Sequence, residues 1–152
     1  MWPASCVKRL SKSSCDCAAP TGYKSISPEP PSPAIVFVGV EPDACPTMYA
    51  ALAAGEPVDV DVGGIAADSL GPKRVGRIAF AAACAWVDRV VLVPDEAIRD
   101  GQRRLWRDLH VVAEPGGAAS LGALIAGAYV AGPGERIVVV VCGANADPTT
   151  VV

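Results

Sequence analysis

The feature that most constrains this chain of 152 residues is a run of five β-branched side chains, Ile137 to Val141. The run has no polar alternation, which is typical of a strand covered on both faces in a parallel sheet flanked by helices. Cys142-Gly143-Ala144-Asn145 follows at the predicted carboxyl end of that strand, the edge at which open α/β sheets bind ligands. The alternative is a core strand followed by an ordinary turn, in which Cys142 is one more small buried hydrophobe.

Composition indicates a core built from aliphatic side chains. Hydrophobic residues make up 51% of the chain and aromatic residues only 5%, which favours α/β layers over an aromatic-rich β-sandwich. At this length the chain can form one domain with its own core. The formal net charge of −3 gives no reason to expect nucleic acid as a partner, because its binding needs a basic face.

The sequence predicts a cytoplasmic protein that does not cross a membrane. The first residues are basic and show no apolar stretch of a secretory signal. The cysteines are scattered as in a reduced cytosolic protein, and Cys6, Cys15 and Cys17 lack a fourth ligand for zinc. The segment Gly116 to Gly134 is uncharged but dominated by Ala and Gly, so we expect a buried helix there rather than a membrane span.

The chain divides at Ala34 into two parts of different composition. Residues 1–33 are rich in Ser, Lys and Cys and end in a Pro/Ser run, which predicts a disordered or extended tail. Residues 34–150 predict a three-layer α/β domain with a mostly parallel sheet. Its expected buried strands are 35–40, 87–93 and 137–141, and residues 58–62 are an exposed edge or a loop.

Four helices are expected between these strands. A short one includes Met48 and Leu52 and is closed by Gly55, and an uncharged one opens at Glu114-Pro115. A helix over 73–86 and another over 95–109 complete the set, with His110 at the end of the latter. The side chains expected to face inward are Val75, Ile78, Ala79, Ala82 and Trp86 on the helix over 73–86, and Ile98, Leu105 and Leu109 on the helix over 95–109.

Five short motifs occur in a fixed order: Val40-Glu41-Pro42, Ile65-Ala66-Ala67-Asp68-Ser69-Leu70-Gly71, Val93-Pro94-Asp95-Glu96, Glu114-Pro115-Gly116-Gly117-Ala118 and Cys142-Gly143-Ala144-Asn145. Together they resemble the carboxyl-terminal part of the pyridoxal-phosphate-dependent threonine dehydratase and serine racemase family, of fold type II. The resemblance covers residues 35–148. It implies a two-domain enzyme that removes water and then ammonia from L-threonine or L-serine, giving a 2-oxo acid.

The resemblance also implies parts that this sequence does not contain. Family members hold pyridoxal 5'-phosphate through a Schiff-base lysine and a glycine-rich phosphate loop. None of the lysines here, Lys8, Lys12, Lys24 and Lys73, has the family's surrounding motif. We therefore expect a partial domain with no catalytic residue of its own, inactive alone.

Four residues are expected to bind the cofactor by resemblance. Cys142 occupies the position that hydrogen-bonds the pyridine nitrogen, and Gly143 leaves room for the ring. Glu114 matches the family's acidic residue near the cofactor, and Ser69 falls where many relatives have Gly. A Gly pair at a helix start can also cradle an anion, but the charge of Glu114 beside Gly116-Gly117 would repel a phosphate.

We predict no metal ion and leave the choice of partner open. Some relatives bind a divalent cation with the acid matching Glu41 and another a few residues on, but Cys45-Pro46-Thr47 provides no carboxylate. The expected partners are a small amino acid and either a second copy of the chain or a complementing amino-terminal fragment. The competing functions are a non-catalytic α/β module that binds a partner chain and, last, a small nucleotide-binding domain, which lacks a phosphate loop.

Overall fold

The structure is a computed structural model that describes residues 35–150, so the predicted tail over residues 1–33 lies outside the described part. Two strands and five helices follow one another along the chain, and a short 3₁₀ turn closes it. In chain order they are β1 (Phe37–Pro42), α1 (Thr47–Ala54), α2 (Ala67–Leu70), α3 (Arg77–Trp86), β2 (Val87–Val93), α4 (Asp95–Leu109), α5 (Pro115–Ile125) and the 3₁₀ turn Pro148–Thr150.

The described sheet consists of β1 and β2, which are parallel. Val40 lies opposite Val91 and Pro42 opposite Val93, so both strands reach their carboxyl ends at the same edge of the sheet. The predicted α/β class with a parallel sheet is confirmed. The bounds of β2 are those expected from the sequence, whereas β1 begins two residues later than predicted.

The helices form two groups that each contact the sheet. The larger core cluster contains Val93 of β2, Ile98 and Leu105 of α4, and the small residues of α5, with Val40 and Val91 packed against it. The smaller cluster joins Ala51 of α1, Val75 and Phe80. Since α5 contacts both strands and α1 contacts both as well, the sheet has helices from both groups packed on it.

The packing of α4 on α5 requires glycine at two positions. A Cβ on Gly101 would lie 2.8 Å from the carbonyl oxygen of Ala118, and one on Gly122 would lie 2.7 Å from that of Ala97. These distances are too short for any side chain, so the two backbones meet directly. Buried Gln102 of α4 adds a hydrogen bond, its Nε2 donating to the carbonyl oxygen of Ala113 at 2.8 Å.

The predicted helix ends are confirmed where the chain carries capping signals. Gly55 closes α1 in the left-handed region at φ 79°, and His110 ends α4 at φ 54°. Acidic Asp95 and Glu96 in the first turn of α4, and Arg107 in its last, follow the direction of the helix dipole. Pro115 is the first residue of α5.

The prediction of a buried strand over Ile137–Val141 is wrong. These residues pair with neither strand in the described part of the chain, and the side chain of Val138 is 88% exposed. A β-branched run forms a stable strand only where it pairs with neighbouring strands and packs its side chains against another surface. Within residues 35–150 this run pairs with no strand, and four of its five side chains are exposed.

The helix expected over residues 73–86 differs in both its start and its buried face. Lys73 and Arg74 form a bend, and the Lys73 carbonyl accepts a hydrogen bond from the Val60 amide at 2.9 Å, so α3 begins only at Arg77. Its buried side chains are Phe80 and Ala83, while Ile78 and Trp86 are exposed. Apolar residues lie on all sides of α3. Phe80, on the side opposite to the predicted face, packs into the core instead.

Two smaller corrections concern helix length and one inward residue. The uncharged helix ends at Ile125, because Gly127 adopts the left-handed region at φ 69° and turns the chain. Leu109 is exposed at the last residue of α4, whose buried stripe uses Ala97, Gly101 and Gln102 beside the predicted Ile98 and Leu105. Within residues 35–150, no helix combines the length and apolar character needed to cross a membrane.

Candidate functional site

The four residues expected to bind a cofactor meet around the amino-terminal end of α5. Ser69 comes from α2, Glu114 directly precedes α5, and Cys142-Gly143 follows the segment Ile137–Val141. The Gly116 amide donates to Ser69 Oγ at 3.0 Å, and the Glu114 amide donates to the Gly143 carbonyl oxygen at 3.1 Å. Three stretches that are distant in sequence therefore form one continuous surface.

The glycine pair at the start of α5 permits this close approach. A Cβ on Gly116 would lie 2.7 Å from Ser69 Oγ, and one on Gly117 would overlap the carbonyl oxygen of Cys142. These glycines bring backbone segments together, which is a different task from the anion binding considered from the sequence. Sequence reasoning did not identify them as site residues, although two adjacent glycines inside a helix start were a usable signal.

Gly143 is required for two separate reasons. Its φ of 73° lies in the left-handed region, which side chains other than glycine adopt only with strain. A Cβ at this position would also overlap the carboxylate of Glu114. The conformation of Gly143 thus places the Glu114 carboxylate against the turn that carries Cys142.

Charge and exposure differ among the four residues. Glu114 is half-buried at the N-cap position of α5, where the positive end of the helix dipole favours its carboxylate. The Cys142 thiol is exposed and unpaired with another cysteine, and Gly143 is exposed beside it. The surface therefore combines an exposed thiol, an exposed glycine turn and one half-buried glutamate.

A second layer of contacts holds Ser69 in place. Asp95 Oδ2, on the first residue of α4, accepts a hydrogen bond from the Ile65 amide at 3.1 Å, and the Gly63 amide donates to the Ala44 carbonyl oxygen at 3.0 Å. Asp95 Oδ1 is buried and has no hydrogen-bond partner in the described part of the chain. The loop that leads into α2 is therefore tied to the carboxyl edge of the sheet.

Glu41 has a structural role in the described part of the chain. Its two carboxylate oxygens accept hydrogen bonds from the Met48 and Tyr49 amides, each at 2.8 Å. Burial raises the pKa of Glu41, while these two hydrogen bonds act in the opposite direction. Within residues 35–150, no group of three or more His, Cys, Asp or Glu side chains is arranged to hold a metal ion.

The exposed Cys142 thiol, the Gly143 turn and the Glu114 carboxylate are groups suited to contact a pyridoxal ring, and the contacts described around them include no lysine for its covalent attachment. Lys73, the lysine within residues 35–150, lies in a bend before α3, and none of the contacts described around α5 involves it.

Comparisons with known proteins identify the family of the chain. The sequence model of the pyridoxal-phosphate dependent enzyme family matches residues 18–143, and the chain belongs to this family. It is 37% identical to the L-threonine dehydratase biosynthetic IlvA of Pasteurella multocida over 116 residues, and 31% identical to the phenylserine dehydratase of Ralstonia pickettii over 119 residues. These matches cover 74% and 78% of this chain.

Solved structures agree with the sequence matches. Maize serine racemase superposes with a TM-score of 0.70 at 27% identity, and the processed form of threonine deaminase isoform 2 from Solanum lycopersicum with a TM-score of 0.68 at 27% identity, each over 78% of this chain. The resemblance to the threonine dehydratase and serine racemase group of fold type II, with pyridoxal phosphate as the family cofactor, is confirmed. The chain spans 22% and 36% of the two curated relatives, and 37% and 35% of the two solved chains.

Proposed function

We propose that this chain forms the ring-binding wall of the cofactor site in a serine or threonine dehydratase. The observation that supports this function is the meeting of Ser69, Glu114 and Cys142-Gly143 at the start of α5. Relatives named threonine dehydratase and phenylserine dehydratase point to the same substrate class, amino acids with a β-hydroxyl group. On this proposal the product is a 2-oxo acid, formed in the cytoplasm.

Cys142 would receive the pyridine nitrogen of the cofactor. The cofactor, when bound, supplies an electron sink for the substrate's α-carbon. A neutral thiol hydrogen-bonds the ring nitrogen without holding it protonated, as a carboxylate would. A thiol at this position therefore favours a weaker sink, which suits loss of a β-hydroxyl group more than a long-lived carbanion.

The other three residues would shape the wall around Cys142. Gly143 would leave room for the ring, and this position needs glycine because a Cβ there would meet the Glu114 carboxylate. Glu114 would present a negative charge beside the ring. Ser69 Oγ already accepts a hydrogen bond from the Gly116 amide and donates one to the Ala66 carbonyl oxygen. Its contribution would therefore be to position the start of α5.

The chain alone should be inactive and should not attach the cofactor covalently, because the family's lysine and phosphate-loop motifs do not occur in its sequence. The purified chain is mixed with pyridoxal phosphate, reduced with borohydride and mapped by peptide mass spectrometry. We expect slow, scattered labelling of Lys8, Lys12 and Lys24. A single stoichiometric adduct on Lys73 would contradict this part of the proposal.

Supplying the amino-terminal half of a family member, in trans or by gene fusion, should produce dehydratase activity, and Cys142 tests the site. Cys142→Ser should keep most of the activity because a hydroxyl makes the same hydrogen bond. Cys142→Ala should lose activity by leaving the ring nitrogen unpaired, at a cost of about 1–3 kcal/mol. Cys142→Asp should change the products more than the rate.

The control for these variants is Cys84→Ala, a thiol on α3 that the site does not use. It should leave turnover of the complemented enzyme unchanged. Turnover and the melting temperature are measured for every variant, since a packing role alone would make Cys142→Ala nearly silent and Cys142→Asp merely destabilising. Full activity in Cys142→Ala would remove Cys142 from the proposed site.

A non-catalytic module that binds a partner chain is the second candidate. The exposed run Ile137–Val141 favours it, because unpaired β-branched segments tend to pair with another strand. Complementation would distinguish the two candidates. A stable complex with the amino-terminal half that shows no dehydratase activity would support the module.

We also propose that residues 1–33 are a dispensable tail and that the folded domain comprises residues 34–150. Six of the chain's fourteen prolines fall in this tail on the sequence, and little apolar periodicity offsets the entropy of ordering it. Trypsin should cleave after Lys12 and Lys24 first and leave a fragment that begins at Ser25, and a protease of broad specificity should trim the chain further to near Ala34. Strong protection of both sites would contradict this division.

A further inference from the structure

Gln102 is a polar side chain on the otherwise apolar buried face of α4. It is 6% exposed and lies on that face with Ile98 and Leu105. Burying an amide is costly unless the amide forms hydrogen bonds, and a leucine at this position would simply extend the apolar face. The partner of Gln102 therefore indicates what an amide contributes at this position.

The hydrogen bond of Gln102 ends on a peptide group that also contacts the candidate site. Gln102 Nε2 donates to the Ala113 carbonyl oxygen at 2.8 Å, and no other protein donor within residues 35–150 reaches that oxygen. The same peptide group contains the Glu114 amide, which donates to the Gly143 carbonyl oxygen at 3.1 Å. Since a peptide group is planar, a rotation that breaks one of these hydrogen bonds also moves the other.

We propose that Gln102 is a positioning residue for the Cys142-Gly143 turn and acts through the peptide group that joins Ala113 to Glu114. This inference rests on the proposed function, in which the turn carries the thiol that receives the cofactor ring. The Gln102 side chain does not contact the turn. It holds the shared peptide group in the orientation in which the Glu114 amide donates to Gly143.

This arrangement makes the position of the turn depend on α4, a helix of 15 residues. Hydrogen bonds linked in series polarise one another, so a donor on the Ala113 oxygen strengthens the bond that the Glu114 amide makes. The next carbonyl group, that of Glu114, accepts a hydrogen bond from the Ala118 amide at 3.1 Å and so belongs to the first turn of α5. Gln102 thus fixes the last peptide group before α5, where the segments of the candidate site meet.

Native-state hydrogen exchange of the full-length chain, followed by NMR without cofactor, tests the proposal. Gln102→Leu removes the donor and keeps a side chain of similar size. It should lower the protection of the Glu114 amide roughly five- to thirtyfold, because the opening of the site then breaks one hydrogen bond instead of two. The interior amides of α4 exchange through larger unfolding, and their protection measures the loss of global stability in the same sample.

The matched control is Ile98→Val, which removes one buried methyl group from the same helix. It should lower the protection of the interior α4 amides and leave that of the Glu114 amide unchanged. A Glu114 amide that responds to Gln102→Leu no more than to Ile98→Val would overturn the proposal. Circular dichroism establishes that each variant is folded, and Gln102→Met, with its more adaptable side chain, replaces a Gln102→Leu variant that does not fold.

A second measurement detects the hydrogen bond between Glu114 and Gly143 directly. The scalar coupling between the Glu114 nitrogen and the Gly143 carbonyl carbon, transmitted across the hydrogen bond, should weaken or disappear in Gln102→Leu and persist in Ile98→Val. A coupling of unchanged size in Gln102→Leu would contradict the dependence of the turn on Gln102. Neither NMR measurement needs dehydratase activity, so a failed complementation would count against the proposed function and not against this coupling.

In an active complemented enzyme, the displaced turn should also slow the reaction. Gln102→Leu should lower kcat/KM roughly ten- to a hundredfold, since small misplacements of groups in a site have effects of this size. Ile98→Val should leave kcat/KM unchanged. An unchanged kcat/KM in Gln102→Leu would overturn the role of Gln102 in positioning the site.

Discussion

Helix α5 and the segment Ile137–Val141 are both uncharged apolar stretches, yet one is buried and the other is exposed. The helix is composed mainly of Gly and Ala, and Ala118, Ala119 and Ala123 are almost completely inaccessible. The segment has larger and more hydrophobic side chains, and most of its surface faces solvent. Hydrophobicity alone therefore does not determine burial in this chain. Burial follows from a complementary neighbour, which α5 has in α4 and which the segment lacks within residues 35–150.

The largest expected difference between the two regions comes from shortening one aliphatic side chain in each. Ile98→Ala removes a completely buried side chain from the α4–α5 core and should lower the free energy of unfolding by about 2–5 kcal/mol. Val138→Ala, at an exposed position, should change it by less than about 0.5 kcal/mol. Urea unfolding followed by circular dichroism measures both. Similar losses for the two variants would show that the segment is packed in solution.

The second prediction tests whether α4 and α5 need their backbone contact. Gly122→Val places a side chain where a Cβ alone would lie 2.7 Å from the Ala97 carbonyl oxygen, so we expect a loss of about 3 kcal/mol, the upper range for overpacking. The matched control is Gly132→Ala, whose Cβ would have its nearest contact at 3.6 Å. Thermal unfolding compares the two, and an unchanged midpoint for Gly122→Val would contradict the close approach of the helices.

The third prediction concerns polar contacts in the two regions. Gln102→Leu leaves the Ala113 carbonyl oxygen without its buried donor and should cost roughly 1–2 kcal/mol. Glu135, whose carboxylate accepts hydrogen bonds from the Tyr129 hydroxyl and the Gly132 amide, makes its contacts at the surface. Glu135→Gln should therefore have a smaller effect than Gln102→Leu in the same urea titration. A larger loss of stability for Glu135→Gln than for Gln102→Leu would show that the surface contact contributes more than the buried one.

The smallest expected effect is a difference in pH dependence between two glutamates. Burial raises the pKa of Glu41, so its contribution to stability is present at low pH and is lost as the pH rises through that pKa. The Tyr129 hydrogen bond and the Gly132 amide lower the pKa of Glu135, so its contribution is present above the ordinary value and is lost as the pH falls.

Melting temperatures of the wild type, Glu41→Gln and Glu135→Gln across the acidic and neutral pH range measure these two slopes. Relative to Glu41→Gln, the wild type should lose stability with rising pH just above 4.5, the usual pKa of the group. Relative to Glu135→Gln, it should lose stability with falling pH just below 4.5. Slopes of the same sign would mean that the two carboxylates have similar environments.

Local signals made part of this fold predictable. The bounds of α4 follow from Pro94, the acidic first turn and His110, and those of β2 from a continuous apolar run that has a partner strand. The same kind of run led to a wrong prediction of a strand at Ile137–Val141, because a strand depends on neighbours that its own residues do not specify. On α3 the apolar residues surround the helix, so their spacing alone did not determine which face is buried.

The candidate site was predictable in its residues but not in its geometry. Resemblance singled out Ser69, Glu114, Cys142 and Gly143 from short motifs. Two features depend on how α2 and the segment that carries Cys142 pack on α5. They are the hydrogen bonds that join these residues and the close approach of the backbones at Gly116 and Gly117. Such long-range packing leaves no local pattern in the sequence.

The joining of distant segments around α5 also has a consequence for the order of folding. The hydrogen bond from the Gly116 amide to Ser69 links residues that are 47 positions apart, whereas α4 and α5 are consecutive helices joined by a short connection. Closing the longer loop costs more chain entropy, and contacts of high sequence separation form slowly. We expect α4 and α5 to assemble first and the site to close last. In hydrogen exchange, the Glu114 and Gly116 amides should accordingly exchange sooner than the interior amides of α4, so we expect the site to open more readily than that helix.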